Sequence, residues 1–344
     1  MKAFQLTGIR KMRMNDVPDP KITDPGDVLI RMKSLGVCGS DIHYYLNGKI
    51  GSQVVSFPFT TGHEGAGIVK AAGDGVTRVK PGDLVAIDPA MPCFHCDQCL
   101  TGRLHTCRNL RFLGNPGQAD GCLSEYVVMP ETSCYVVPGG VNADEAAFIE
   151  PLSIGTYAVH LAGNVEGKNI GILGSGPIGI SVLMPALAYG ARHIYVTDKI
   201  PERLALARKT GAYRTGNPDK EDIVAKILDN EPGQLDVVFE CCGKQEAVDQ
   251  AVQLVKPGGM ILIIGIPGFD IWTFPADELR HKEITIRNVR RQNNCIGEAL
   301  DLIRTGKVDV DRVITHLFPF EKSDEAYDLV AGYRDGVMKA MIRF

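Results

Sequence analysis

The sequence predicts an α/β protein in two parts, a β-rich region followed by a doubly wound parallel sheet. Three observations carry that expectation. Residues up to about 150 hold short β-rich runs broken by Gly and Pro. From Glu150-Pro151-Leu152-Ser153 onward, apolar strands alternate with helical stretches. A glycine-rich turn separates the first of those strands from its helix. At roughly 150 residues per domain, the length of 344 makes two domains with substantial cores.

The elements follow in order. Val28-Leu29-Ile30-Arg31-Met32, Gly67-Ile68-Val69-Lys70 and Asp83-Leu84-Val85-Ala86-Ile87 are short strands, the last introduced by Lys80-Pro81-Gly82. That texture predicts a barrel-like or irregular β region. After Ser153 come a helical pattern, the strand 169–173, a glycine turn and a long helix. A strand over 193–197, a helix over 201–209 and apolar runs at 236–239 and 260–264 continue the alternation. The tail beyond about 288 reads as a helix over 295–305, short strands and a last strand over 338–344.

Composition narrows the function classes. Lys plus Arg number 37 against 41 Asp plus Glu, a net charge of −4. A nucleic-acid groove or an anionic membrane would want a basic excess, so neither is an expected partner. No apolar run reaches the ~18 residues that span a bilayer. Met1-Lys2-Ala3-Phe4-Gln5-Leu6 reads as the start of a strand rather than a signal segment, which makes the cytoplasm the expected compartment.

Gly174-Ser175-Gly176-Pro177-Ile178-Gly179 follows the strand 169–173 and opens a helix. One glycine permits the tight turn, the next lets the backbone approach a pyrophosphate, and the third lets helix and strand pack closely. The helix N-terminus supplies free N–H groups for phosphate. Asp198 ends the next strand, where a carboxylate accepts from both ribose hydroxyls and repels a 2′-phosphate. NAD is the expected cofactor, with Lys199 the neighbouring cation that would tolerate the phosphate.

Four of the ten cysteines form Cys93-x2-Cys96-x2-Cys99-x7-Cys107. A loop with those spacings folds around one tetrahedral ion, and structural zinc sites close all four positions with Cys or His. An iron–sulfur cluster uses similar spacings, so the metal is open where the site is not. His95 and His105 lie inside the cluster region and read as bystanders.

A second set remains: Cys38, the pair His63-Glu64, and Glu150. Cys, His and carboxylate are zinc ligands, and three of them leave a fourth position for substrate. Neighbouring residues of a regular strand face opposite ways. Gly62 and Gly65 allow an irregular backbone that turns both His63 and Glu64 inward.

On these motifs the sequence resembles the zinc-containing medium-chain dehydrogenases, and within them the polyol (sorbitol, iditol, xylitol) dehydrogenases. The resemblance covers essentially the whole chain. It rests on Gly-Val-Cys-Gly-Ser-Asp-Ile-His-Tyr at 36–44, Gly-His-Glu at 62–64, Val-Lys-Pro-Gly-Asp at 79–83, the four-cysteine loop, Glu-Pro-Leu-Ser at 150–153 and the glycine turn. It implies a GroES-like β-rich catalytic domain, 1–153 with 289–344, interrupted by a Rossmann NAD-binding domain, 154–288.

The resemblance further implies that Cys38, His63 and Glu64 hold a catalytic zinc, with Glu150 binding the metal or holding its water. Cys93, Cys96, Cys99 and Cys107 hold a structural zinc. Ser40 passes the substrate proton to His43, and Tyr44, Glu150 and Arg290 contact the polyol. Gly174, Gly176, Pro177, Ile178, Gly179, Asp198, Arg203, Gly265, Ile266, Val289 and Arg290 line the NAD. Arg291 stands where the family often has Tyr, as a substrate contact or a surface charge. The expected reaction is NAD-linked oxidation of a polyol hydroxyl by a homodimer or homotetramer. The rivals are a relative acting on threonine, butanediol, an inositol or an aminocyclitol, and a non-catalytic NAD-binding protein.

Overall fold

A computed structural model describes residues 1–344. The chain divides into two compact units, one of residues 1–150 with 296–344 and one of residues 151–295. The resemblance implied boundaries at 153/154 and 288/289.

The first unit is built on a seven-stranded sheet. Six strands run in the order Cys134–Val136, Leu84–Ile87, Glu64–Ala72, Asp27–Gly36, Lys339–Arg343 and Ile314–Pro319, and Tyr126–Pro130 also pairs with Asp27–Gly36. In Asp27–Gly36 the alternate residues Val28, Ile30 and Met32 are buried, the period of a strand with one face on a core. Leu6, Leu35, Ile87, Leu123 and Met129 complete that core. The register of the sheet places Gly36 opposite Glu64 on one side and opposite Met341 on the other.

One helix differs from the expectation. The sequence texture places a helix after Ser153, yet Ala143–Leu161 is helical through Pro151. Its start is a reciprocal cap. Asn142 Oδ1 accepts from Glu145 N at 3.0 Å, and Glu145 Oε2 accepts from Asn142 N at 2.6 Å. Alanines and the acidic first turn favour helix before the proline.

The second unit carries a six-stranded, all-parallel sheet in the order Arg214–Gly216, His193–Thr197, Asn169–Leu173, Leu235–Glu240, Val255–Ile263, Thr285–Asn288. In chain order that is 3-2-1-4-5-6, the doubly wound dinucleotide topology. The strands are runs of buried Ile, Leu, Val and Phe because helices such as Pro177–Ala188 and Gln245–Leu254 cover the sheet faces. The fold class is α/β. No helix is long and apolar enough to cross a membrane.

Candidate metal centres and dinucleotide turn

Cys38 leaves the strand Asp27–Gly36 and caps the helix Gly39–Asn47. His63 directly precedes the strand Glu64–Ala72. Gly62, at φ +96°, supplies the irregular backbone that turns His63 and Glu64 to the same place; a Cβ there would lie 3.2 Å from Leu123 N. One ligand atom each of Cys38, His63 and Glu64 falls within 4.8 Å of the others. Thiol, imidazole and carboxylate within one ion's reach are a zinc donor set with room for a further ligand.

Buried charges surround this set. Asp41 is fully buried; its Oδ1 accepts from Gly62 N at 3.3 Å and lies 3.5 Å from His63 Nδ1. A carboxylate there orients a ligating imidazole. Burial opposes protonation of His63, but Asp41 and Cys38 outweigh it and hold its pKa well above the ordinary histidine value. Lys339 is 1% exposed, and its ammonium pairs with Glu64 Oε2 and donates to Val37 O at 3.1 Å. One buried cation thus ties together the Glu64 carboxylate and the backbone beside Cys38. Glu150 is buried and lies outside the group of three. Burial pushes its carboxyl up to about 7, with His63 and Lys339 pulling down and Glu64 pushing up.

Ser40 Oγ donates to Cys38 Sγ at 3.2 Å, and His43 is half-buried on the same helix. Tyr44, the expected substrate contact, lies on the same helix. It is 4% exposed, packs edge-on against Phe59, and its hydroxyl lies 3.0 Å from Gln53 Oε1 and 3.1 Å from Asn115 Oδ1. Its ring packs inward and its polar tip has partners there. Arg290 is exposed, whereas Arg291 is half-buried with a left-handed backbone, φ +53°.

The four-cysteine loop is compact. Cys96 Sγ lies 3.6 Å from Cys99 Sγ and 3.9 Å from Cys107 Sγ, and Cys107 Sγ lies 3.4 Å from Cys93 Sγ. Sulfurs at ~2.3 Å from one tetrahedral zinc sit about 3.8 Å apart. The spacing fits a single ion and leaves no volume for a multi-iron cluster. Main-chain N–H groups of Arg108 and Cys99 bring the Cys96 thiol down to about 6, while burial pushes Cys99 up to about 12. Neither His95 nor His105 joins the group of four.

The glycine turn divides its labour as the spacing implies. Gly174 has φ +105°, the turn proper. A Cβ on Gly176 would meet nothing closer than Arg203 Nη1 at 3.4 Å, so the backbone is open to a phosphate beside a guanidinium. A Cβ on Gly179 would lie 1.9 Å from Gly174 O, which is the close helix–strand packing. Pro177 and Ile178 begin the helix Pro177–Ala188. Asp198 Oδ2 accepts from Ser175 N at 2.7 Å and Oδ1 from Ile200 N at 2.9 Å. Lys199 pairs with Asp219 at 2.7 Å. Gly265 and Val289 are half-buried, and Ile266 is exposed, just beyond the strands Val255–Ile263 and Thr285–Asn288.

Sequence reasoning misses Asp41 and Lys339. Asp41 had a signal, an acid one helical turn from Cys38. Lys339 had none, since only the pairing of Lys339–Arg343 with Asp27–Gly36 brings it near.

Known proteins bear on both units. The chain matches the family model of the alcohol dehydrogenase GroES-like domain over residues 24–139 and that of the zinc-binding dehydrogenase over 177–305. It is 37% identical to sorbitol dehydrogenase 1 of Saccharomyces cerevisiae, over 99% of this chain and 97% of that one. It is 34% identical to D-xylulose reductase A of Aspergillus oryzae, over 94% of this chain and 92% of that one. Among solved structures, a zinc-binding dehydrogenase from Sinorhizobium meliloti bound to NADP superposes with a TM-score of 0.89 at 31% identity, covering 100% of this chain and 99% of that one.

Proposed function

Because this chain belongs to the zinc-binding dehydrogenase family with a GroES-like domain, we propose that it oxidises a secondary hydroxyl of a sorbitol-, xylitol- or iditol-type polyol. The carbinol loses a hydride to NAD and a proton to solvent, giving the ketose and NADH. The observation that carries this reading is the Cys38–His63–Glu64 donor set in a chain that also holds the complete glycine turn with Asp198.

Cys38, His63 and Glu64 would hold the catalytic zinc and Cys93, Cys96, Cys99 and Cys107 the structural one. A zinc ion at the first set supplies Lewis acidity that lowers an alcohol's pKa, and the nicotinamide supplies the hydride acceptor. The chain's own residues do the rest. Asp41 and Lys339 keep His63 and Glu64 in place from behind. Ser40 and His43 carry the released proton outward along the helix Gly39–Asn47. Glu150 holds a water or a second substrate hydroxyl, which favours vicinal diols, and Arg290 adds a polyol contact. Asp198 accepts from the adenosine ribose and disfavours a 2′-phosphate, the nearby Lys199 being engaged by Asp219. Arg203, Gly265, Ile266 and Val289 line the dinucleotide. The active form is a cytoplasmic homodimer or homotetramer.

The test is NAD reduction by the zinc-loaded chain across pentitols, hexitols, inositols, threonine and butanediol. The highest kcat/KM on a pentitol or hexitol is expected. A clear preference for threonine, butanediol or a cyclitol would overturn the substrate class and leave the dehydrogenase chemistry standing.

A further inference from the structure

In the parallel sheet, Leu173 pairs with both Thr197 and Glu240, so Gly174, Asp198 and Cys241 leave their strands level with one another. Strand order reverses between Asn169–Leu173 and Leu235–Glu240. Open α/β sheets form their binding crevice at such a reversal, outside the carboxyl ends of the strands. The glycine turn is one lip of this crevice. The other lip begins at Glu240.

Glu240 is fully buried. Its Oε1 accepts from Cys242 N at 2.8 Å, from Gly243 N at 2.6 Å and from the Cys242 thiol at 3.1 Å. Its main-chain oxygen accepts from Ile264 N at 2.9 Å and Gly265 N at 3.1 Å. The turns it gathers touch backbone to backbone. A Cβ on Gly243 would lie 2.3 Å from Ile266 O, one on Gly265 2.1 Å from Gly243 N, and one on Gly174 2.9 Å from Cys242 Cβ. Glu240 Oε2 has no hydrogen-bond partner, so the bonds to Oε1 alone carry the side chain's grip on the turn. Burying a carboxyl with one oxygen unsatisfied is costly where a leucine would fill the space, and that cost points to a task other than stability.

We propose that Glu240 is a positioning residue for the dinucleotide: its carboxyl fixes the shape of the 241–244 turn, whose Gly243 packs on Ile266 and whose Cys242 packs on Gly174, at the spacing that admits NAD seated on Gly174–Gly179. It touches neither cofactor nor substrate. The inference rests on the reading of this chain as an NAD-linked dehydrogenase.

The experiment uses the full zinc-loaded chain. NAD titrations followed by the fluorescence of Trp272, the single tryptophan, compare the wild type with Glu240→Leu and Glu240→Gln. The dissociation constant should rise tenfold or more with Leu and by less with Gln, which retains one acceptor oxygen. Glu240→Gln should raise KM for NAD while leaving KM for the polyol and the zinc content unchanged. The Gln variant keeps the test open even if the Leu variant does not fold. Wild-type affinity in the Gln variant with no change in its KM for NAD would overturn the role of Glu240. A wild type that fails to bind NAD at all would instead overturn the dehydrogenase reading, and this inference with it.

Discussion

A single hydrogen atom on Gly36 decides whether the buried pair Glu64–Lys339 exists. A Cβ there would lie 2.2 Å from Glu64 Oε2 and 2.7 Å from Lys339 Cε. Strands on both sides pin the Gly36 backbone, so it is the tips of the buried Glu64 and Lys339 side chains that must move. Gly36→Ala should therefore cost about 2 kcal/mol or more through overpacking and a disrupted buried ion pair. Urea unfolding of the zinc-free chain measures that cost, and metal analysis should find the catalytic zinc depleted. Unchanged stability with full zinc would remove Lys339 from the account of the site. Cofactor choice is also a one-residue matter. Asp198→Ala should narrow a preference for NAD over NADP that is tenfold or more in the wild type, a factor worth about 1.4 kcal/mol. Equal kcat/KM with NAD and NADP in the wild type would sink the Asp198 assignment. Single residues are legible in the sequence where chemistry is written in residue type, as with Cys38, His63 and Glu64, which the fold brings together. They are illegible where meaning comes from register, as with Gly36 and Lys339.

Elements are legible where a period or a fixed spacing is at work. The strand Asn169–Leu173, its glycine turn and the helix Pro177–Ala188 follow from apolar pattern and punctuation. The helix Ala143–Leu161 starts earlier than the sequence texture suggests, because Pro151 looks like a boundary. The true start signal is a capping pair, Asn142 three residues before Glu145. The four-cysteine loop is the element with the clearest test. Cys96→Ser removes a sulfur that lies 3.6 Å and 3.9 Å from two others. Metal analysis should fall from about two zinc ions per chain to about one, with a lowered melting temperature, because a closed zinc site contributes folding energy. One zinc per chain in both proteins, with equal melting, would count against a structural ion.

On the scale of the whole molecule, the chain closes on itself: residues 296–344 rejoin residues 1–150, and Lys339–Arg343 pairs with Asp27–Gly36. Local periodicity holds no trace of that return, because strand partners distant in sequence are chosen by the shared core; the resemblance of the motifs carried it instead. The division of labour makes the last prediction separable. The donor set Cys38–His63–Glu64 belongs to one unit, and the glycine turn with Asp198 belongs to the other. Cys38→Ala and His63→Ala should abolish polyol oxidation while leaving the NAD dissociation constant within about twofold of wild type, a change of about 0.4 kcal/mol. Glu150→Ala is the informative companion. Glu150 stands outside the three-residue set, so zinc should remain and kcat should fall. Loss of zinc with Glu150→Ala would make Glu150 a ligand at rest and Glu64 the residue that waits behind it. Full oxidation by a zinc-free Cys38→Ala enzyme would overturn the proposed mechanism itself, since that mechanism assigns activation of the alcohol to the metal at Cys38, His63 and Glu64.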